Sequence, residues 1–223
     1  MPAFETFLIV VLALLGAAAS IGLFLVLRQP PASPVMEAVG RGEFSAALET
    51  AHSRAKAGRD ELYAAAVAAK HLLRLAEARG YLGRILTADP EDGEARIEAG
   101  LVAAYEGDFA AAEETFLAAA ARRSDLAESI TLHRAWVALR RGDRRAARRL
   151  FDEVEAPLES KLRSDLGSGD PLFAEWFLQA AALWEAFGDA ERAGWARREG
   201  RASAPESRLA ERVFPDLPDL PVQ

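Results

Sequence analysis

The sequence predicts an all-α protein: a solenoid of about five helical hairpins preceded by one N-terminal transmembrane helix. Three observations predict it. The stretch Gly107-Asp-Phe-Ala-Ala-Ala-Glu-Glu-Thr-Phe116 has the form of a hairpin corner, in which Gly closes one helix, Asp caps the next and Ala112 lets the two helices touch. The corner then returns. Gly142-Asp143 with Ala147 and Phe151 repeats all of it, while Gly42-Glu43 with Ala47 and Gly188-Asp189 with Ala193 repeat its first half. Finally, Thr6 to Leu27 is an apolar run without charge; as a helix it would reach roughly 33 Å, enough to cross the hydrocarbon core of a bilayer.

Composition agrees with helices and narrows the function. The chain has 223 residues, 51% hydrophobic and 27% charged, enough for one cored domain with appendages. Abundant alanine and few β-branched runs favour helix. The formal charge of -7 argues against nucleic acid as the main partner. The absence of cysteine removes disulfides, Cys-ligated zinc and iron–sulfur clusters together. There is no asparagine, so no N-glycosylation acceptor exists.

In chain order, residues 1–28 form the anchor. Met-Pro-Ala-Phe-Glu precedes the apolar run without Lys or Arg, and the run continues past Ala17-x-Ala19, which favours an uncleaved span over a signal peptide. Glu5 on the short side, with Arg28 and Arg41 on the long side, predicts the N-terminus outside and the large domain in the cytosol. Residues 29–34 hold three prolines and are expected to leave the membrane as a stiff linker. From 35 to 205 the pattern reads as helices at 35–41, 43–56, 60–73, 75–87, 93–106, 108–122, 126–141, 143–154, 171–187 and 189–202. The Gly/Ser/Asp-rich stretch 156–170 is expected as a loop insert. Residues 206–223 are a capping segment and a Pro-rich extended tail, which is either disordered or docked through Leu217 and Leu220.

The interval from Gly107 to Gly142 is 35 residues. With Gly100, Ala112 and Phe116 in one unit, Ala147 and Phe151 in the next, Ala78, Leu82 and Pro90 in the one before, and Trp184, Ala193 and Pro205 in the last, the chain resembles the tetratricopeptide repeat family across residues 35–205. Ala51 and Arg197 stand where the large apolar residue is expected, in terminal units that cap the stack. The resemblance implies a concave face made by the first helix of each unit, which binds peptides or partner helices. Carried onto this chain, that face comprises Tyr63, Lys70, His71, Ile97, Leu101, Tyr105, Leu132, Trp136 and Arg140. Family members that clamp a terminal carboxylate use asparagines beside lysines; none is available here.

Catalytic signatures are missing from the sequence. His52, His71 and His133 make no His-x-x-x-His or HExxH pattern; no nucleophile elbow, P-loop or Gly-x-Gly-x-x-Gly occurs. No enzyme activity, metal or cofactor is expected. The marked charge feature is a basic ridge of Arg141, Arg144, Arg145, Arg148 and Arg149, with Arg134 and Arg140 before it. It suits an acidic partner or anionic lipid, or is a solvated face paired along its helix, for example Arg148 with Asp152 and Arg149 with Glu153. The expected function is a membrane-anchored adaptor that binds a protein partner, with the lipid bilayer met by residues 6–27. The alternatives are an accessory subunit of a larger membrane complex and an extracytoplasmic envelope-assembly protein.

Overall fold

The computed structural model describes residues 33–54, 56–164 and 170–214. The anchor, most of the linker and the Pro-rich tail lie outside the described residues, and among those described no helix is long and apolar enough to cross a membrane.

All regular structure among the described residues is helical. The α-helices are α1 Pro34–Gly40, α2 Phe44–His52, α3 Arg59–His71, α4 Leu75–Ala88, α5 Gly93–Glu106, α6 Phe109–Ala120, α7 Ala127–Arg140, α8 Arg144–Leu162, α9 Ala174–Ala186, α10 Ala190–Ser203 and α11 Ala210–Val213. Short 3-10 turns at Ser124–Leu126 and Pro171–Phe173 lead into α7 and α9. Consecutive pairs from α1·α2 to α9·α10 pack as antiparallel hairpins, and the hairpins stack through their neighbours.

One corner geometry is used five times. Gly42, Gly107, Gly142 and Gly188 take φ values of 74°, 91°, 81° and 91°, and Leu73 fills the same place at 59°. In every corner the amide after that residue donates to the carbonyl five residues back: Glu43 to Ala38, Arg74 to Ala69, Asp108 to Ala103, Asp143 to Ala138 and Asp189 to Trp184, at 2.8–3.0 Å. This bond closes a left-handed helix end. Asp108, Asp143 and Asp189 then cap the next helix, each side chain accepting from the amide three residues on.

Five residues after each corner residue stands an alanine: Ala47, Ala78, Ala112, Ala147 and Ala193, all buried where two helices cross. Four residues further on, Leu82, Phe116 and Phe151 fill the gap between units and are buried, as the repeat resemblance implies. Gly100 belongs to the same arrangement. A Cβ there would lie 2.7 Å from the Phe116 ring, so the ring lies against bare backbone.

Two expectations need correction. The sequence places Pro34 in the linker, yet it is the first residue of α1 with Ser33 as N-cap; a proline at that position loses no helical bond, because the first amides have no partner inside the helix. The stretch expected as a loop at 156–170 begins as helix, since α8 continues through Pro157 to Leu162; residues 165–169 of it lie outside the described residues. Val154, Leu158 and Leu162 are all buried, and this apolar stripe at four-residue spacing outweighs the one amide the proline removes.

The stack closes on itself. Ser45 N donates to Glu206 Oε2 at 2.9 Å, Arg208 N donates to the His71 carbonyl at 2.8 Å, and Gly42 lies against Pro171 and the Ser203 carbonyl. The last unit thereby seats on the first two.

Candidate functional site

Closure brings α9 into the hollow lined by α3, α5 and α7, and the contact is polar. Lys70 of α3 is buried, and its Nζ lies 2.5 Å from Glu175 Oε2 of α9 and 2.7 Å from Glu98 Oε2 of α5. The Tyr105 hydroxyl donates to the other Glu175 oxygen at 2.5 Å, and Gln179 Nε2 lies 3.4 Å from both. His133 Nδ1 meets Gln179 Oε1 at 2.8 Å; the amide oxygen is an acceptor, so this nitrogen is assigned the proton. His71 Nδ1 pairs with Ser207 Oγ at 3.0 Å, and its ring stacks on Phe44.

Burial and pairing set the charges. Burial works against the Lys70 ammonium, yet Glu175 and Glu98 outweigh it and hold it protonated above its usual range. Burial also acts to raise the Glu175 carboxyl, but Lys70 prevails and keeps it ionised. Glu98 differs: burial raises its carboxyl more than Lys70 lowers it. Burial drives His71 down to about 3 and also lowers His133, so both imidazoles are neutral near pH 7. Burial and the adjacent Glu175 push the Tyr105 hydroxyl well above the phenol range, so it remains a donor.

Beside this cluster lies a cavity of about 290 Å³. Its walls are apolar, formed by Val67, Ile97, Leu101, Leu126, Phe173 and Trp176 with Tyr63; Lys70, His71, Glu98, His133 and Glu175 supply polar groups, and Glu94, Ser129, Asp170 and Leu172 complete the lining. Leu172 is 48% exposed, a large apolar side chain left in water beside the cavity. The volume is at the lower end for ligand pockets, which run from roughly 300 to 1,000 Å³.

The structure divides the residues of the expected concave face. Tyr63, Lys70, His71, Ile97 and Leu101 line the cavity. Of these, all but Tyr63 are themselves buried from solvent, and Tyr105, Leu132 and Trp136, equally buried, do not reach the cavity. The reason is the closure: Tyr105 is bonded to α9, and Trp136 lies against the Tyr105 ring with centroids 5.1 Å apart. The Trp136 indole nitrogen has no hydrogen-bond partner among the described residues. Arg140 lies over the rings of Trp136 and Phe109 and donates to the Arg212 carbonyl, so it tethers α11 rather than facing a groove.

The basic ridge is largely engaged within the fold. Arg148 pairs with Asp152 at 2.7 Å and lies over Phe187, and Arg144 covers the same ring while donating to the Ala186 carbonyl. Arg141 and Arg149 line a small recess with Glu113, Arg134 and Asp143. Arg145 is exposed. Among the described residues no group of His, Cys, Asp or Glu is placed to hold a metal ion.

Sequence reading missed Glu98, His133, Glu175 and Gln179. A signal was available: Glu98, His133 and Gln179 each stand nine residues before their corner glycine, at one register in three successive units. Polar residues at one inward register mark a polar seam.

No protein-family model matches the chain, and no curated protein matches it. Among solved structures, MamA AMB-1 aligns with 75% of this chain and 86% of its own, at 15% identity and a TM-score of 0.43.

Proposed function

We propose that the chain is a tetratricopeptide-like scaffold, not an enzyme, that takes a segment of a protein partner into the hollow between α3, α5, α7 and the start of α9. The apolar run 6–27 holds it at a membrane, with the repeats on the cytosolic side. The observation that carries the first part is the cavity itself: the closed stack covers Tyr105, Leu132 and Trp136 but leaves about 290 Å³ open between apolar walls, with Leu172 exposed beside it. Concave apolar space with a few convergent polar groups is where binding energy concentrates. The membrane part rests on the length and charge flanks of the apolar run alone.

The test is selection of displayed peptides on the full-length chain, followed by titration of the selected sequences. Leu172→Asp should weaken them strongly, whereas Leu117→Asp, at an exposed apolar residue of α6 that does not line the cavity, should not. Equal affinity for wild type and Leu172→Asp would contradict the assignment.

A further inference from the structure

Two carboxylates share a single ammonium in this cavity. Glu94 is engaged by Arg59 at 2.7 Å, and the Asp170 side chain accepts from the Leu172 amide. Lys70 is shared by two carboxylates, Glu98 and Glu175, both largely removed from water. One ammonium between these two carboxylates leaves Glu98 the less compensated of the two: burial raises its carboxyl towards the neutral form, and a second cation beside it would hold it ionised. Desolvated charge of one sign is costly to leave uncompensated.

The walls specify more. Trp176 and Tyr63 line the cavity, Leu172 stands exposed beside it, and the Tyr63 hydroxyl lies 3.5 Å from Glu98 Oε1, so apolar and aromatic surface adjoins the inner carboxylate. Long cationic side chains have that profile, an apolar stem and a charged head. Both rings already carry a cation of the chain, Arg59 over Tyr63 at 4.9 Å and Lys161 over Trp176 at 5.4 Å, so they offer the entering stem apolar surface while the carboxylate holds the head.

We propose that the cavity receives an arginine or lysine side chain of the partner segment, its stem against Leu172, Trp176 and Tyr63 and its head beside Glu98. This rests on the reading of the cavity as the partner site. It reverses the polarity of the carboxylate-clamping repeats, because the cation that could clamp a carboxylate, Lys70, is already held by the chain's own Glu175.

The test uses the full-length chain with two small probes, N-acetyl-arginine amide and N-acetyl-norleucine amide, read by the Trp176 indole resonance, which a Trp176→Phe variant assigns. The arginine probe should shift that resonance saturably and bind at least about tenfold more tightly than norleucine; Glu98→Gln should remove about that factor for arginine and leave norleucine unchanged. Equal binding of the two probes, no shift with arginine, or an unaltered arginine affinity in Glu98→Gln overturns the proposal. Displacement of a selected peptide by norleucine as readily as by arginine would do the same while leaving the cavity as the peptide site. A selected peptide that neither probe displaces, although the arginine probe shifts Trp176, would move the partner elsewhere and overturn both.

Discussion

Lys70 Nζ and Glu175 Oε2 lie 2.5 Å apart although the residues are 105 positions apart in the chain. The pair joins the second hairpin to the fifth, and with Glu98 and Tyr105 it makes closure of the stack a polar event inside an apolar core. Taking one partner from a buried ion pair costs more than never having had the pair, because the remaining charge is stranded.

Lys70→Met should therefore destabilise by about 3–5 kcal/mol, as it leaves two carboxylates without a cation. Replacing the whole set, as Lys70→Met with Glu98→Gln and Glu175→Gln, should recover most of that loss. Denaturant titration of each variant, with the slope checked for constancy, measures both.

Glycine substitutions should split by sign. Gly107 has φ of 91° with nothing within 4 Å of a built Cβ, so Gly107→Ala carries only the left-handed backbone cost of about 1–2 kcal/mol. At Gly100 the Phe116 ring stands in the way, and the overpacking cost of about 1–3 kcal/mol should exceed the helix-propensity gain. Gly80, inside α4 with open space around it, should instead stabilise as alanine by about 0.5–1 kcal/mol. Thermal melts of the three variants check the order.

Acid should loosen the fold through its buried imidazoles. His71 titrates near 3 when folded but near 6.5 when unfolded, so its contribution is fully present above pH 6.5 and is lost as pH falls towards 3, where the unfolded chain binds the proton that the folded one excludes. Within that window His71 alone gives a slope of up to about 1.4 kcal/mol per pH unit, and His133, shifted in the same direction, steepens it. His71→Gln should flatten the stability profile between pH 6.5 and 4 by about that slope. An unchanged profile would mean the ring is hydrated in the folded protein.

The repeat was legible because its devices are local. Gly42, Gly107, Gly142 and Gly188, the Asp caps beside three of them and the crossing alanines carry their reasons in the sequence itself. Leu73 escaped notice as a corner residue, since its left-handed backbone is imposed by the surrounding hairpin and has no glycine to announce it. Pro157 masked the last two turns of α8, although Leu158 and Leu162 kept the apolar spacing. The inward register of Tyr105 and Trp136 was also readable. What covers them was not, because closure by α9 depends on contacts such as Glu175 with Lys70 that only the assembled stack brings together.

The central claim is that the partner enters beside the point where the stack closes. Hydrogen exchange of the full-length chain, with and without a saturating selected peptide, addresses it directly. The account predicts added protection concentrated in residues 63–71, 94–101 and 170–176. Protection confined to the arginine-bearing surface of α8, with these segments unchanged, would contradict it.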